Sequence, residues 1–288
     1  MKPKRKRSSP KLVPTAIAYD FDGTLAPGSI QGHSLIPKQL KVSASDFWNA
    51  GKVVAEKNDA DEILVYLWRL IERARALGTP ITRAMLHAHG KGTQLFNGVS
   101  EWFDRINVYA RERGLKLEHY VISSGNEEMI NATPIARHFR RIFASRYLYD
   151  VHGHAMWPAV AINYTTKTQF LFRINKGILN CWNDAAVNRW VPLKQRPLPF
   201  TRMIYLGDGD TDIPSMKMMR TQGGKSVAVF DPDEWEDPKS KDKIFNLIAE
   251  DRADFVVPAN YSEGSHLDIT LKGILGKIAR EEADYRGE

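Results

Sequence analysis

The stretch Thr15-Ala-Ile-Ala-Tyr-Asp-Phe-Asp-Gly-Thr24 ends a short apolar run on two aspartates, Asp20 and Asp22, followed at once by a glycine. A brief apolar segment bounded by turn formers predicts a buried strand. Residues two apart on a strand point to one side, so both carboxylates share a face and Phe21 packs on the other. Gly23 then allows the chain to turn sharply. Two unpaired carboxylates at that distance repel, which calls for a shared proton or a bound cation. Further aspartates downstream make a metal the better explanation.

Outward from this strand, Pro27, Gly28 and Gly32 predict a loop, and residues 43–113 are helical in pattern. Ile63, Leu67, Leu70, Ala74 and Leu77 form one stripe, widened by Leu64 and Ile71. Asp59 with Glu62 three residues on resembles a capping box, and Gly78-Thr-Pro80 ends that helix. A further helix is expected over Val99–Arg113. Strand character returns at His119-Tyr-Val-Ile-Ser123, and a helix is expected around Glu127–Phe139. Residues 142–163 and Thr168–Ile174 are β-like, and Lys176–Trp190 is helical by pattern. Met203–Gly207, Ser226–Phe230 and Phe255–Val257 are predicted strands, with a helix over Asp212–Arg220. Alternating strands and helices predict an α/β fold: a Rossmann-like, doubly wound, mostly parallel sheet. The expected organisation is a basic tail over 1–12, a core of 13–25 and 119–288, and an inserted helical cap domain over 26–118.

The chain has 288 residues, 43% of them hydrophobic, enough for a substantial core. No apolar run approaches the ~18 residues of a membrane span, and the basic N-terminus lacks the apolar region of a secretory signal. Cys181 is the single cysteine, which excludes an intrachain disulfide and fits a cytoplasmic location. The formal charge is +7, from 41 basic and 34 acidic residues. Six of the basic residues (Lys2, Lys4, Arg5, Lys6, Arg7 and Lys11) lie in the first eleven positions; the body is left with 35 against 34. Nucleic-acid binding is therefore expected only nonspecifically, through the tail. Nothing in the sequence specifies an oligomer.

A second acidic cluster, Leu206-Gly-Asp-Gly-Asp-Thr-Asp212, follows another apolar run. A calcium loop is the competitor, but its twelfth position counted from Asp208 would be Met219 instead of Glu. In a parallel sheet the C-terminal strand ends line one crevice. Asp20/Asp22, Ser123/Ser124 and Asp208–Asp212 all sit at such ends. Hard oxygen donors of this kind select Mg2+ over zinc. His87/His89 and His152/His154 lack a third ligand at metal-site spacing, and Met216, Met218 and Met219 are expected to pack in a core.

Together, Asp-Phe-Asp-Gly-Thr (20–24), Val-Ile-Ser-Ser-Gly (121–125), a downstream lysine and Gly-Asp-Gly-Asp-Thr-Asp (207–212) resemble the four motifs of the haloacid dehalogenase-like (HAD) superfamily. The likeness covers about residues 14–25 and 119–260. The presence of Asp22 resembles the phosphatase branch, and the helical insertion resembles the layout of phosphoserine phosphatase. The resemblance implies a Mg2+-dependent phosphomonoesterase acting on a small phosphorylated metabolite through an aspartyl-phosphate. Asp20 would be the nucleophile and Asp22 the acid and base. The metal would be held by the Asp20 side chain, the Asp22 carbonyl and Asp208, with Asp212 supporting it. Ser123, favoured over Ser124, would bind the transferring phosphate. Lys176, favoured over Lys167, would neutralise its charge. Asp210 is evenly split between a loop role and a supporting one.

In the family the insertion closes over the site. Glu56, Arg69, Arg73 and Arg83 are the cap candidates for substrate contact. The alternatives are a phosphotransferase using the same intermediate, or a catalytically idle regulatory or nucleic-acid-binding module. The idle reading predicts degraded aspartates, and none is replaced.

Overall fold

In the computed structural model of the chain, residues 12–209 and 211–286 are described. All but one residue of the basic tail, and Asp210, lie outside the described residues.

Strands β1 (Val13–Tyr19), β2 (Leu115–Asn126), β3 (Phe139–Tyr149), β4 (Ala155–Val160), β5 (Met203–Gly207), β6 (Lys225–Phe230) and β7 (Phe255–Pro258) form one sheet in the order β4-β3-β2-β1-β5-β6-β7. Every pairing is parallel except that of β3 with β4. The sheet is the doubly wound, mostly parallel one expected. β1 is central and buried on both sides, which explains why it is apolar without alternation.

Parity along β1 decides what each residue meets. Ile17, Tyr19 and Phe21 join a core that includes Trp102, Phe103 and Ile106 of α5 (Val99–Glu112) and Leu271 and Leu275 of α11 (His266–Arg286). Ala16 and Ala18 face the opposite core, built with Phe170, Leu171 and Ile174 of α7 (Thr166–Lys176) and Met216 and Met219 of α9 (Ile213–Thr221). Continued one step, that parity turns Asp20 toward α7.

Between β1 and β2 lie α1 (Ile30–His33), α2 (Ala44–Asn58), α3 (Glu62–Ala76), α4 (Arg83–Lys91) and α5. Helices α2 and α3 pack on each other, α3 reaches β4, and α4 packs on α6 (Glu127–Ile130). By contrast α5 lies on β2 and α11, so the last helix of the 26–118 stretch packs on the sheet. The remaining helices are α8 (Asp184–Asn188) and α10 (Pro238–Ala249). No helix among the described residues is long and apolar enough to cross a membrane.

Four local expectations are corrected. Asp59 does not start a helix; it ends α2 in the left-handed region at φ 48°, and Asp61 caps α3. Leu77, expected in the buried stripe, and Leu64, expected to widen it, are both exposed, while Val65 and Tyr66 are buried. Residues 168–174 belong to α7 and not to a strand. The helix expected over 176–190 shrinks to α8, because Gly177 takes φ +70° and terminates α7.

Under β1 a hydrogen-bonded relay runs from buried Trp102, Tyr19 and His119 to half-buried Asn107. Trp102 Nε1 donates to Tyr19 Oη (3.0 Å), and the ring of His119 bonds Tyr19 Oη at Nδ1 (3.0 Å) and Asn107 Oδ1 at Nε2 (3.1 Å). Burial, with His138 nearby, pulls the His119 imidazole down to about 3. An unfolded His119 takes its proton near 6.5, so the unfolded state binds more protons between those values. Stability should therefore fall as pH drops from about 6.5 toward 3, by up to a few kcal/mol. Urea titrations of wild type and H119Q across this range should give a flatter profile for the variant. Equal slopes would assign the loss to other groups.

Candidate active site

Register brings the functional strand ends to one level. Tyr19 pairs with Val121 on one side and Leu206 on the other, so Asp20, Ser123 and Asp208 emerge together at the C-terminal edge. The Asp20 amide donates to Leu206 O (2.8 Å), holding the chain at the point where the strand ends. Gly23 has φ +70°, and a Cβ there would sit 2.6 Å from Asp208 Oδ2. The two acidic loops can approach this closely only because position 23 has no side chain.

Asp20, Asp208 and Asp212 each offer an oxygen within 4.8 Å of the others. Asp20 is nearly buried and its rotation is fixed at both oxygens. The Phe21 amide donates to Oδ1 (2.7 Å) and Lys167 Nζ to Oδ2 (2.7 Å). Lys167 is only 1% exposed and also donates to Asp212 Oδ1 (2.7 Å). Asp212 further accepts from Tyr205 Oη (2.5 Å) and, at Oδ2, from the Asp208 amide (3.0 Å). Its carboxylate thereby orients the lysine and closes the 208–212 loop. A Cβ at position 207 would lie 2.3 Å from Asp212 Oδ2, so Gly207 is required for this turn.

The electrostatics follow from burial. Desolvation pushes the Asp20 carboxyl well up, Lys167 pulls it back, and Asp212 and Asp208 add to the rise. For Lys167, burial acts downward but Asp20 and Asp212 outweigh it, so the ammonium is held charged. Asp208 is raised to about 6 by burial, against Lys243, whose Nζ lies 3.4 Å from Oδ2.

Asp22 is placed differently from the other aspartates. Its side chain stands outside the three-carboxylate group and Oδ1 accepts from the Ile30 amide (2.8 Å). Burial raises it to about 7, opposed by that hydrogen bond and by Lys167. It lines a cleft of about 360 Å3 with Asp20, Ser123, Ser124, Asp208 and Lys243, under Ile63 and Tyr164. Ser123 is buried, and its Oγ accepts from the Gly125 amide (2.9 Å). Ser124 gives its carbonyl to Tyr66 Oη (2.5 Å).

Lys176 is the site residue that the structure moves away. Its Nζ donates to the carbonyls of Val187 and Arg189, and Lys167 takes the place expected for it. The reason is helical phase. Lys167, Phe170, Leu171 and Ile174 recur at i, i+3, i+4 and i+7 and are all buried, whereas treating 168–174 as a strand hides that stripe. The four cap candidates also lie elsewhere: none lines the cleft. Arg73 Nε donates to Leu40 O, Arg69 and Arg83 lie over the rings of Phe47 and Tyr149, and Glu56 is exposed. His89 bonds Ser34, and His154 pairs with Asp150. Lys243, Tyr164 and Tyr205 were missed. Only Tyr205 carried a sequence signal, sitting two residues before Gly207 on a strand ending in the acidic loop.

These features define a Rossmann-like α/β fold with an acidic cluster at the carboxyl edge of its sheet, and that fold is shared with solved HAD family hydrolases and phosphoserine phosphatases. No family model matches the chain. An uncharacterized protein of Borreliella burgdorferi is 25% identical over 279 residues, covering 88% of this chain and 93% of that one. Among solved structures, a HAD family hydrolase of Salmonella enterica serovar Typhi superposes with a TM-score of 0.57 at 16% identity, over 91% of this chain and 72% of the other. A substrate-bound phosphoserine phosphatase gives 0.54 at 16% identity, over 90% and 97%. A phospho-aspartyl intermediate analogue of phosphoserine phosphatase gives 0.53 at 16% identity, over 91% and 99%.

Proposed function

We propose that the chain is a Mg2+-dependent phosphomonoesterase that hydrolyses a small phosphorylated metabolite through a phosphorylated Asp20. The observation that carries this reading is the bridge of Lys167 Nζ to Asp20 and Asp212, 2.7 Å each, beside a third carboxylate at the end of the sheet. The phosphoserine phosphatase structures that share the fold, one of them a phospho-aspartyl intermediate analogue, support the same chemistry.

The donor set fits the metal: three carboxylates supply hard oxygens only, with no nitrogen or sulfur ligand. Asp20 and Asp208 would hold Mg2+ with the carbonyl of Asp22, and Asp212 would brace the loop that aims them. When bound, the ion would screen the phosphate from the carboxylates and polarise its oxygens.

In the first step an Asp20 oxygen forms a bond to phosphorus as the ester oxygen leaves, and Asp22 gives its proton to that oxygen. In the second, Asp22 takes a proton from water, whose oxygen attacks phosphorus and releases Asp20 with inorganic phosphate. Lys167 would neutralise the transferring oxygens, and Ser123 would hydrogen-bond one of them. Residues 26–98 would act as the cover, through Ile63 and Tyr66 of α3. The location inferred for the chain is the cytoplasm.

Turnover of an aryl phosphate with Mg2+, abolished by chelator, tests the reading. An active-site acid near 7 adds a pH signature. The protonated form is present below about 7, so turnover of an alkyl phosphate should fall as pH rises through that value. D22N should slow phosphorylation of the enzyme by alkyl esters by roughly 10²-fold or more in single-turnover measurements, and phosphorylation by an aryl ester, whose leaving group needs no proton, far less. Equal loss on both would remove Asp22 from the acid role.

A further inference from the structure

We infer that Asn163 is a positioning residue that makes closure of the cover and placement of Lys167 a single event; this rests on the phosphatase reading of the cleft. Asn163 lies in the connection from β4 to α7 and touches none of the three clustered carboxylates. Its side-chain Oδ1 accepts from the Thr166 amide (2.9 Å) and Thr165 Oγ1 (3.2 Å). Its own amide donates to Thr166 Oγ1 (2.7 Å), and its carbonyl accepts from the Lys167 amide (3.1 Å). The residue thus organises the turn that presents Lys167.

The other end of the same side chain leaves α7 altogether. Asn163 Nδ2 donates to Asp61 Oδ2 (2.6 Å), while Asp61 Oδ1 caps α3 by accepting from the amides of Ile63 and Leu64 (2.9 Å each). One charge-assisted hydrogen bond, roughly twice the strength of a neutral one, joins the starts of two helices. The first carries Ile63 over the cleft and Tyr66 onto the Ser124 carbonyl; the second carries Lys167 to the carboxylates of Asp20 and Asp212. Tyr164 Oη adds a parallel contact to Glu62 Oε2 (3.3 Å). The amide cannot be reversed, because its oxygen would then face the Asp61 carboxylate and its NH2 the Thr166 amide hydrogen. Lifting α3 therefore removes the outer tether of the lysine turn, and docking α3 restores it.

N163D separates the link from the local turn. It keeps an acceptor for the Thr166 amide, since aspartate caps helices as well as asparagine, but it sets a second carboxylate against Asp61. D61N combined with N163D exchanges donor and acceptor and re-forms the bond. N163D should lower kcat for an alkyl phosphate at saturating Mg2+ by roughly 10- to 100-fold, and the double variant should return to within roughly threefold of wild type. Hydrogen exchange should rise together in segments 62–70 and 166–170 of N163D and recede together in the double variant. Unchanged kcat and exchange in N163D would overturn the inference. So would a double variant as impaired as N163D, or exchange that rises in only one of the two segments. If N163D fails to fold, recovery in the double variant still decides the point. A wild type inert toward every phosphomonoester would end the phosphatase reading alone, because the exchange measurement still judges the link.

Discussion

Replacing Asp20 with asparagine should slow turnover of an aryl phosphate at saturating Mg2+ by roughly 10³-fold or more, the scale of lost nucleophilic catalysis. The substitution is nearly isosteric and can keep the hydrogen bond from the Phe21 amide. It removes the charge that attacks phosphorus and one of the two partners of Lys167. Thermal unfolding recorded beside the kinetics separates the two effects: a folded, inactive D20N supports the role, and a folded variant with near-normal turnover takes it away from Asp20.

The second large effect is expected at Lys167. Methionine has similar length and no charge, so K167M leaves the Asp20 and Asp212 carboxylates buried and facing each other without a cation. Breaking a buried pair in this way costs on the order of 3–5 kcal/mol. Denaturant titration in chelator should show that loss, and Mg2+ should restore part of it by taking the place of the missing charge. Turnover should drop roughly 10²-fold or more even with the metal present. K176M should affect only the contacts to Val187 and Arg189 and leave the metal response intact. A K167M protein as stable as wild type in chelator would mean that the carboxylates are not charged against this lysine.

How much of this was visible in the sequence depended on what each residue had to do. Strands β1, β5 and β6 are short apolar runs between turn formers, and Asp20 and Asp208 follow them directly, so the carboxyl edge of the sheet was legible. The lysine was not, because 168–174 mixes Thr, Phe and Ile in a way that satisfies both periods. Only the position of Lys167 on the buried stripe separates helix from strand, and a buried lysine is counted as polar in any pattern. Asp59 and Asp61 both precede Glu62, and the left-handed turn at Asp59 decided which of them caps α3. Asn163 gave no signal, since its contact partner Asp61 is 102 residues away. The cover followed the same rule. Its helices were evident from their stripe, whereas the contacts of Ile63 with the cleft and of Tyr66 with the Ser124 carbonyl depend on how α3 docks.

Chemical trapping tests the central claim most directly. Quenching the enzyme during turnover of a phosphomonoester with Mg2+, then reducing with borohydride, converts an aspartyl-phosphate to homoserine. Peptide mass analysis is expected to find that conversion at position 20, dependent on both substrate and Mg2+ and absent in D20N. Steady turnover with no modified residue at position 20, or with the mark on another side chain, would contradict the account.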